Sequence, residues 1–452
     1  MADNQTLQRS TSGEVRKSED AGESLGVGKI AFSSFVGTAL EWYDFFLFGT
    51  ASALVFNHLF FATQSPTVAL LSSFATFGVG FLARPFGAIL FGKMGDRYGR
   101  RPALILSIVV IGAATGLIGL LPTYFTIGIA APILLTLARL AQGIAVGGEW
   151  GGATTLALEH APEEKRARYA ALVQAGSPVG TLLSSGAFAL VFLLPAETVD
   201  SWAWRLPFLA AFPFLLVALV IRLQVEESPV YQAFADEAEQ EEKQQEGSVR
   251  LLLSQSGASV FWAVCASLVG IGGFFIMSTY VLSYGTNELG VDRQPMVNAT
   301  LLGALAQLTT LLIFGRLGEK VGAGKIVAWG GVATVVLAVP LWAMVNTGNI
   351  VWITLAIILG LSVVTVPYSV VGVVLTELFP VQYRYTGVAL SANIAAAISG
   401  LLPFLITWLN TFTDGPSIWP AAGVLIGIGV LTAAGGFAAR HHMTSDNVVS
   451  AP

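Results

Sequence analysis

The sequence predicts an all-α membrane protein with twelve transmembrane helices in two parallel six-helix pseudo-repeats. Two observations carry that prediction. Hydrophobic residues make up 54% of the chain and charged residues 11%, against about 25% charge in a soluble globular protein. Apolar stretches of roughly 20 residues, the helix length that crosses about 30 Å of hydrocarbon, also recur along its whole length.

The spans fall near 30–56, 67–91, 103–121, 128–157, 168–194 and 204–223 in the first half, and near 257–284, 296–317, 325–345, 349–375, 384–409 and 418–439 in the second. The first is apolar apart from "GTALEWYDFFLFG" (37–49). The second ends at "GKMGDRYGRR" (92–101) and the eighth at "GRLGEKVGAGK" (315–325), sharing Gly-x-x-Gly-acid-base-x-Gly. A second echo precedes the fifth and eleventh spans, where "EHAPEEKR" (159–166) matches "ELFPVQYR" (377–384). These offsets define the repeat.

The divisions follow from composition. Residues 1–27 form a polar N-terminal tail without the apolar core of a signal peptide, 28–223 and 257–440 are the two bundles, 224–256 is a polar linker rich in helix formers, and 441–452 is a C-terminal tail. Lys and Arg gather in the N-terminal tail and at 93–101, 165–168, 222–250, 316–325, 384 and 440, and the opposite loops hold only Arg205 and Arg293. Basic short loops stay in the cytosol, so both termini are expected there, in a bacterial cytoplasmic membrane.

Ionisable residues inside the spans are expensive, at least about 2.5–3.5 kcal/mol at mid-bilayer, and mark candidate sites. Glu41 and Asp44 are three residues apart and share a helix face. Arg139 and Asp44 lie at similar depth, about 16 and 18 Å from the outer ends of their spans, and Glu149 is roughly 15 Å nearer the cytosol, closer to Glu41. These four are the candidates for proton coupling and substrate charge; a static salt bridge between the first and fourth spans is the plainer alternative. Arg84, in "FLARPFG", lies close enough to the cytosolic end to snorkel to the interface and is read as structural. The second half is neutral in mid-membrane, and Tyr280, Tyr284, Gln307, Tyr368 and Asn393, with Tyr43 of the first half, are candidate pocket residues.

The glycine-rich loops suggest a cytosolic gate: Gly92 permits close approach, Asp96 faces a neighbouring helix N-terminus, and Arg97 and Arg100 pair with Glu159 or Glu377, with Glu319 and Arg384 as the equivalents in the other half. The bland alternative is a basic loop that only sets topology. Cys265 has no partner for a disulfide, and no Cys/His metal spacing, P-loop or nucleophile elbow occurs. No cofactor, metal or nucleic-acid partner is expected, and a monomer in the lipid bilayer is.

The loop motif, the repeats and the linker resemble the major facilitator superfamily of secondary transporters. Within it, "EWYDFFLFG", "FLARPFGAILFGKMGDRYGRR", "RLAQGIAVGGEWGGA" and "ELFPVQYRYTGVALSANIAAAISGLLP" resemble the metabolite:proton symporters, which carry α-ketoglutarate, citrate, shikimate, proline or betaine. The resemblance implies no enzyme. It implies import of a small carboxylate or zwitterion with a proton, by rocking of the two halves. An exporter exchanging its cargo for protons or an uncoupled facilitator of the same fold are the alternatives, with a membrane enzyme or receptor as a different class. That family commonly has an aromatic before the asparagine of "SAN", where this chain has Ala392, which implies a roomier or different pocket.

Overall fold

The computed structural model describes residues 35–62, 65–98, 100–147, 166–226, 249–380 and 384–449. Among them there is no strand, and the helices follow the predicted spans in order. We number the helices α1 (35–59), α2 (66–98), α3 (Arg100–Ile118), α4 (Ala130–Gly147), α5 (166–191), α6 (206–226), α7 (249–288), α8 (Arg293–Val321), α9 (Ala323–Val345), α10 (Ile350–Glu377), α11 (384–410) and α12 (Trp419–Val449). Eight helices among these residues are long and apolar enough to cross a membrane, with shorter apolar stretches at Ile105–Ile118 and Ala203–Val217.

The loops after the even-numbered helices of this scheme carry the basic residues, and we call that side the basic face and the other the far face. Local chemistry sets the helix ends. Ser65 caps α2 by accepting from the Val68 amide, with Pro66 in the first turn, and Asn349 caps α10 by accepting from the Val351 amide. Gly322 ends α8 at φ 93°, where a side chain would be strained. It is the last glycine of the second repeat motif, whose helix runs on to Val321. In the first copy the backbone is likewise helical to Tyr98, so most of the predicted loop is the end of a helix.

The first helix of each half departs from α geometry. α1 is π-wound at Ser52–Phe56, and α7 at Val269–Gly273, Ile276–Tyr280 and Tyr284–Glu288. α7 also kinks at Ser256, one residue before its predicted span begins.

Small residues let the helices approach. A Cβ on Gly143 would overlap the Gly80 carbonyl, one on Gly147 the Arg84 carbonyl, and one on Gly87 the Ile144 carbonyl, so α2 and α4 cross backbone to backbone. Between halves, Gly315 and Gly318 of α8 meet Ala171 and Ala167 of α5, and Gly78 of α2 meets Leu401 of α11.

Candidate substrate and proton site

The α2–α4 crossing brings two arginines under one face of α1. Glu41, Asp44, Phe45 and Phe48 recur at helical spacing and face α2 to α4. Trp42, Phe46 and Gly49 face the second half, where Trp42 packs on Phe274, Phe275 and Tyr368, Phe46 on Phe274, and Gly49 close to Thr279. One helix therefore carries charge on one side and an aromatic seam on the other.

Among the described residues, Glu41, Asp44, Arg84 and Arg139 are the buried charged groups, at 6%, 2%, 5% and 0% exposure. They form two pairs. Arg84 Nη2 donates to Glu41 Oε1 at 2.7 Å. Arg139 Nη1 lies 3.5 Å from Asp44 Oδ2, longer than a strong charge-assisted bond.

The expectation that Arg84 snorkels to the interface is therefore corrected. The tight helix crossing holds it inside, where Glu41 and the Phe45 and Phe81 rings, 4.4 and 5.0 Å from its guanidinium carbon, replace water.

The second pair is bracketed by neutral groups. Gln142 donates to Asp44 Oδ1 at 2.6 Å and accepts from Arg139 Nη1 at 3.2 Å, and the Thr115 hydroxyl also reaches Asp44 Oδ1. Arg139 Nε makes a long bond of 3.4 Å to the Phe77 carbonyl, and Nη2 has no hydrogen-bond partner. Around it stand Phe48, Phe45, Phe77 and Phe81, with centroids 4.4, 5.0, 5.3 and 5.5 Å from the guanidinium carbon. Aromatic faces attract a desolvated cation by about 2 kcal/mol each at best, and they supply no acceptor. The guanidinium is thus held in place with donor capacity unused, ready for a planar anion such as a carboxylate.

The other candidates sort by partner. Tyr43 donates to the Pro207 carbonyl at 2.6 Å, Tyr284 donates to Asn346 at 2.7 Å, Tyr280 accepts from Asn410 at 2.5 Å, and Asn393 donates to Ala389 of its own helix at 2.9 Å. Those bonds stay within one half. Gln307, 1% exposed, has no partner for Oε1, and Tyr368 sets its ring edge-on to Trp42 across the interface.

Glu149 and Glu159 lie outside the described residues. So do the surroundings of Gly92 and the side chains of Asp96, Arg97 and Arg100, all four on helical backbone. Glu319 does bridge the halves on the basic face, with Arg168 at 3.2 Å. Glu377 and Arg384 flank the turn between α10 and α11, and neither is without a partner. Sequence reading missed Gln142, Thr115 and Arg168. Gln142 had a signal, since it sits three residues from Arg139 on the same helix face.

The sequence profile of the Major Facilitator Superfamily matches residues 34–402. The chain belongs to that family. It is 36% identical to the inner membrane metabolite transport protein YhjE of Escherichia coli (strain K12), over 85% of this chain and 88% of that protein. It is equally identical, at 36%, to the shikimate transporter of the same organism, covering 88% of this chain and 92% of the other. The proline/betaine transporter of Salmonella typhimurium is 32% identical over 84% of this chain and 77% of its own length. In fold, the chain is similar to a crystal structure of a D-xylose-proton symporter, with a TM-score of 0.71 at 19% identity, covering 90% of this chain and 97% of that one. The protein is a multi-pass membrane transporter and not an enzyme.

Proposed function

We propose that the protein imports a small carboxylate-bearing metabolite together with a proton. The carrying observation is Arg139: a fully buried guanidinium with one nitrogen unpartnered and its carboxylate partner 3.5 Å away. A substrate carboxylate entering between the halves takes the guanidinium bidentately, and Asp44, losing that charge, takes up a proton. Gln142 and Thr115 keep Asp44 in place through the exchange. Release of the substrate restores the ion pair and expels the proton, so cargo and proton move together.

In the orientation we propose, the basic face is cytosolic and both termini are inside, following the Lys and Arg of the short loops. The relatives that carry shikimate and proline or betaine support a small polar cargo.

Uptake into proteoliposomes under an imposed pH gradient tests the reading, screened over organic acids, betaines and amino acids. Wild type should concentrate a carboxylate. Asp44→Asn should lose gradient-driven accumulation and keep exchange of substrate across the membrane. Accumulation by Asp44→Asn with wild-type pH dependence would refute the assignment.

A further inference from the structure

On the far face, the end of α1 meets the short helix Ala196–Ser201 that precedes α6, and both meet the first residue of α8. His58 Nε2 lies 3.1 Å from Asp200 Oδ1, and His58 Nδ1 lies 3.0 Å from Asn57 Oδ1. The Asn57 atom is an acceptor, because the His58 backbone amide donates to it at 3.0 Å. Both ring nitrogens therefore face oxygen acceptors. An imidazolium satisfies both, whereas either neutral tautomer turns a lone pair toward an oxygen.

All three of these residues belong to the first half, so the proton site survives when the halves part. Arg293 of the second half donates to the same Asp200 Oδ1 at 3.0 Å. Two cations from opposite halves thus share one carboxylate oxygen when the face is closed.

We infer that His58 is a proton-binding site that releases the far-face contact between the halves: binding of a proton at His58 and closure of Arg293 onto Asp200 oppose one another. The sign follows from what changes. The His58–Asp200 contact lies within the first half and does not need closure, whereas only closure brings Arg293 beside the imidazolium, so protonation favours the open face, and closure reciprocally favours losing the proton. Far-face closure accordingly weakens as the pH is lowered from about 8 to 5.

Asp200 remains charged across that window. Burial raises its carboxyl, but the His58 hydrogen bond and charge, with Arg293, outweigh burial and hold it below the usual carboxylate range. Glu197 on the short helix, Glu288 at the end of α7 and Asp292 before Arg293 are the other acids of the adjoining segments, and none pairs with His58. Arg205 turns away, to the Ser201 and Leu121 carbonyls. Under the proposed orientation this face is outside, so external acid opens it toward the proton and cargo supply.

The test reads far-face separation directly. Spin labels at Phe125→Cys and Phe412→Cys, 73% and 71% exposed on far-face loops of the two halves, go into a Cys265→Ala background reconstituted in nanodiscs. Taking the sample from pH 8 to pH 5 should raise the ratio of long to short distances roughly two- to five-fold, the scale of one exposed charge contact. His58→Gln, which keeps a donor for Asp200, should abolish the shift and hold the short distance. Arg293→Gln should abolish it and favour the long one. A shift that persists in His58→Gln, or a wild-type shift toward the short distance at pH 5, overturns the inference.

Discussion

The two halves repeat one another in backbone and differ in what they bury. In the first half, two ion pairs sit inside the helix bundle, whereas the buried polar residues of the second half, among those described, are neutral: Gln307, Asn393 and a series of serines and threonines. Yet it is the second half's first helix that is π-wound in three places, against one in its counterpart. Buried charge and irregular backbone have been separated. The glycine-locked α2–α4 crossing holds the guanidinium groups, and α7, π-wound and tightly packed against the Trp42 seam, carries most of the departures from α geometry.

That contrast breaks first at Arg139. Arg139→Ala leaves Asp44 buried and unpaired, which should destabilise the protein by about 3–5 kcal/mol in denaturant titration and abolish uptake. Gln307→Ala removes a neutral group from the other half and should cost less than about 2 kcal/mol. If the two losses are equal, the halves do not divide the work as argued.

The two ion pairs can be separated next. Glu41–Arg84 is the shorter, at 2.7 Å against 3.5 Å, and its geometry is that of a static pair. Each single leucine replacement should cost about 3–5 kcal/mol, and the double replacement Glu41→Leu with Arg84→Leu should recover most of that loss and retain accumulation under a pH gradient. Loss of coupling in a stable double variant would instead move the proton site to Glu41.

Smaller effects come from the helix crossing. Gly143→Ala should cost about 1–3 kcal/mol because its Cβ meets the Gly80 carbonyl. Gly427→Ala, on α12 with open space around it, should be neutral or stabilising by up to about 1 kcal/mol.

The fold was legible in the sequence because hydrocarbon imposes one rule, backbone satisfied within apolar helices, and the described helices follow the order read from hydropathy, eight of them long and apolar enough to cross a membrane. Part of the site was legible for the same reason: Glu41, Asp44 and Arg139 stand out where charge is costly, and equal depth paired Asp44 with Arg139. The inward turn of Arg84 was not legible because depth along a helix says nothing of rotation about it. A snorkelling arginine and one turned inward have the same sequence position, and only the Gly87 and Gly147 contacts between α2 and α4 decide between them. Arg168 was missed because it lies in a basic cluster whose topological role already accounts for it, and the far-face cluster because its three residues come from segments far apart in the chain.

The smallest expected effect lies at the basic face, where Arg168 of α5 meets Glu319 of α8 at 3.2 Å. Arg168 is 54% exposed and Glu319 16%, so water screens the pair and its worth is about 0–1 kcal/mol. Under the proposed transport cycle the contact breaks at each turnover, and that weakness suits it. Glu319→Gln should leave the unfolding midpoint nearly unchanged and alter the initial rate of uptake by no more than about five-fold, through the balance of the two closed states. Arg168→Gln should match it, and exchanging the charges, Arg168→Glu with Glu319→Arg, should return the rate toward wild type. The packing beside the pair is apolar, with Ala171 against Gly315 and with Val370 and Ala167 against Gly318, so the exchange meets no competing charge there. If the exchanged pair stays as slow as either single variant, the contact does not set the rate, and the neutral packing of Gly315 and Gly318 on α5 is what holds this face.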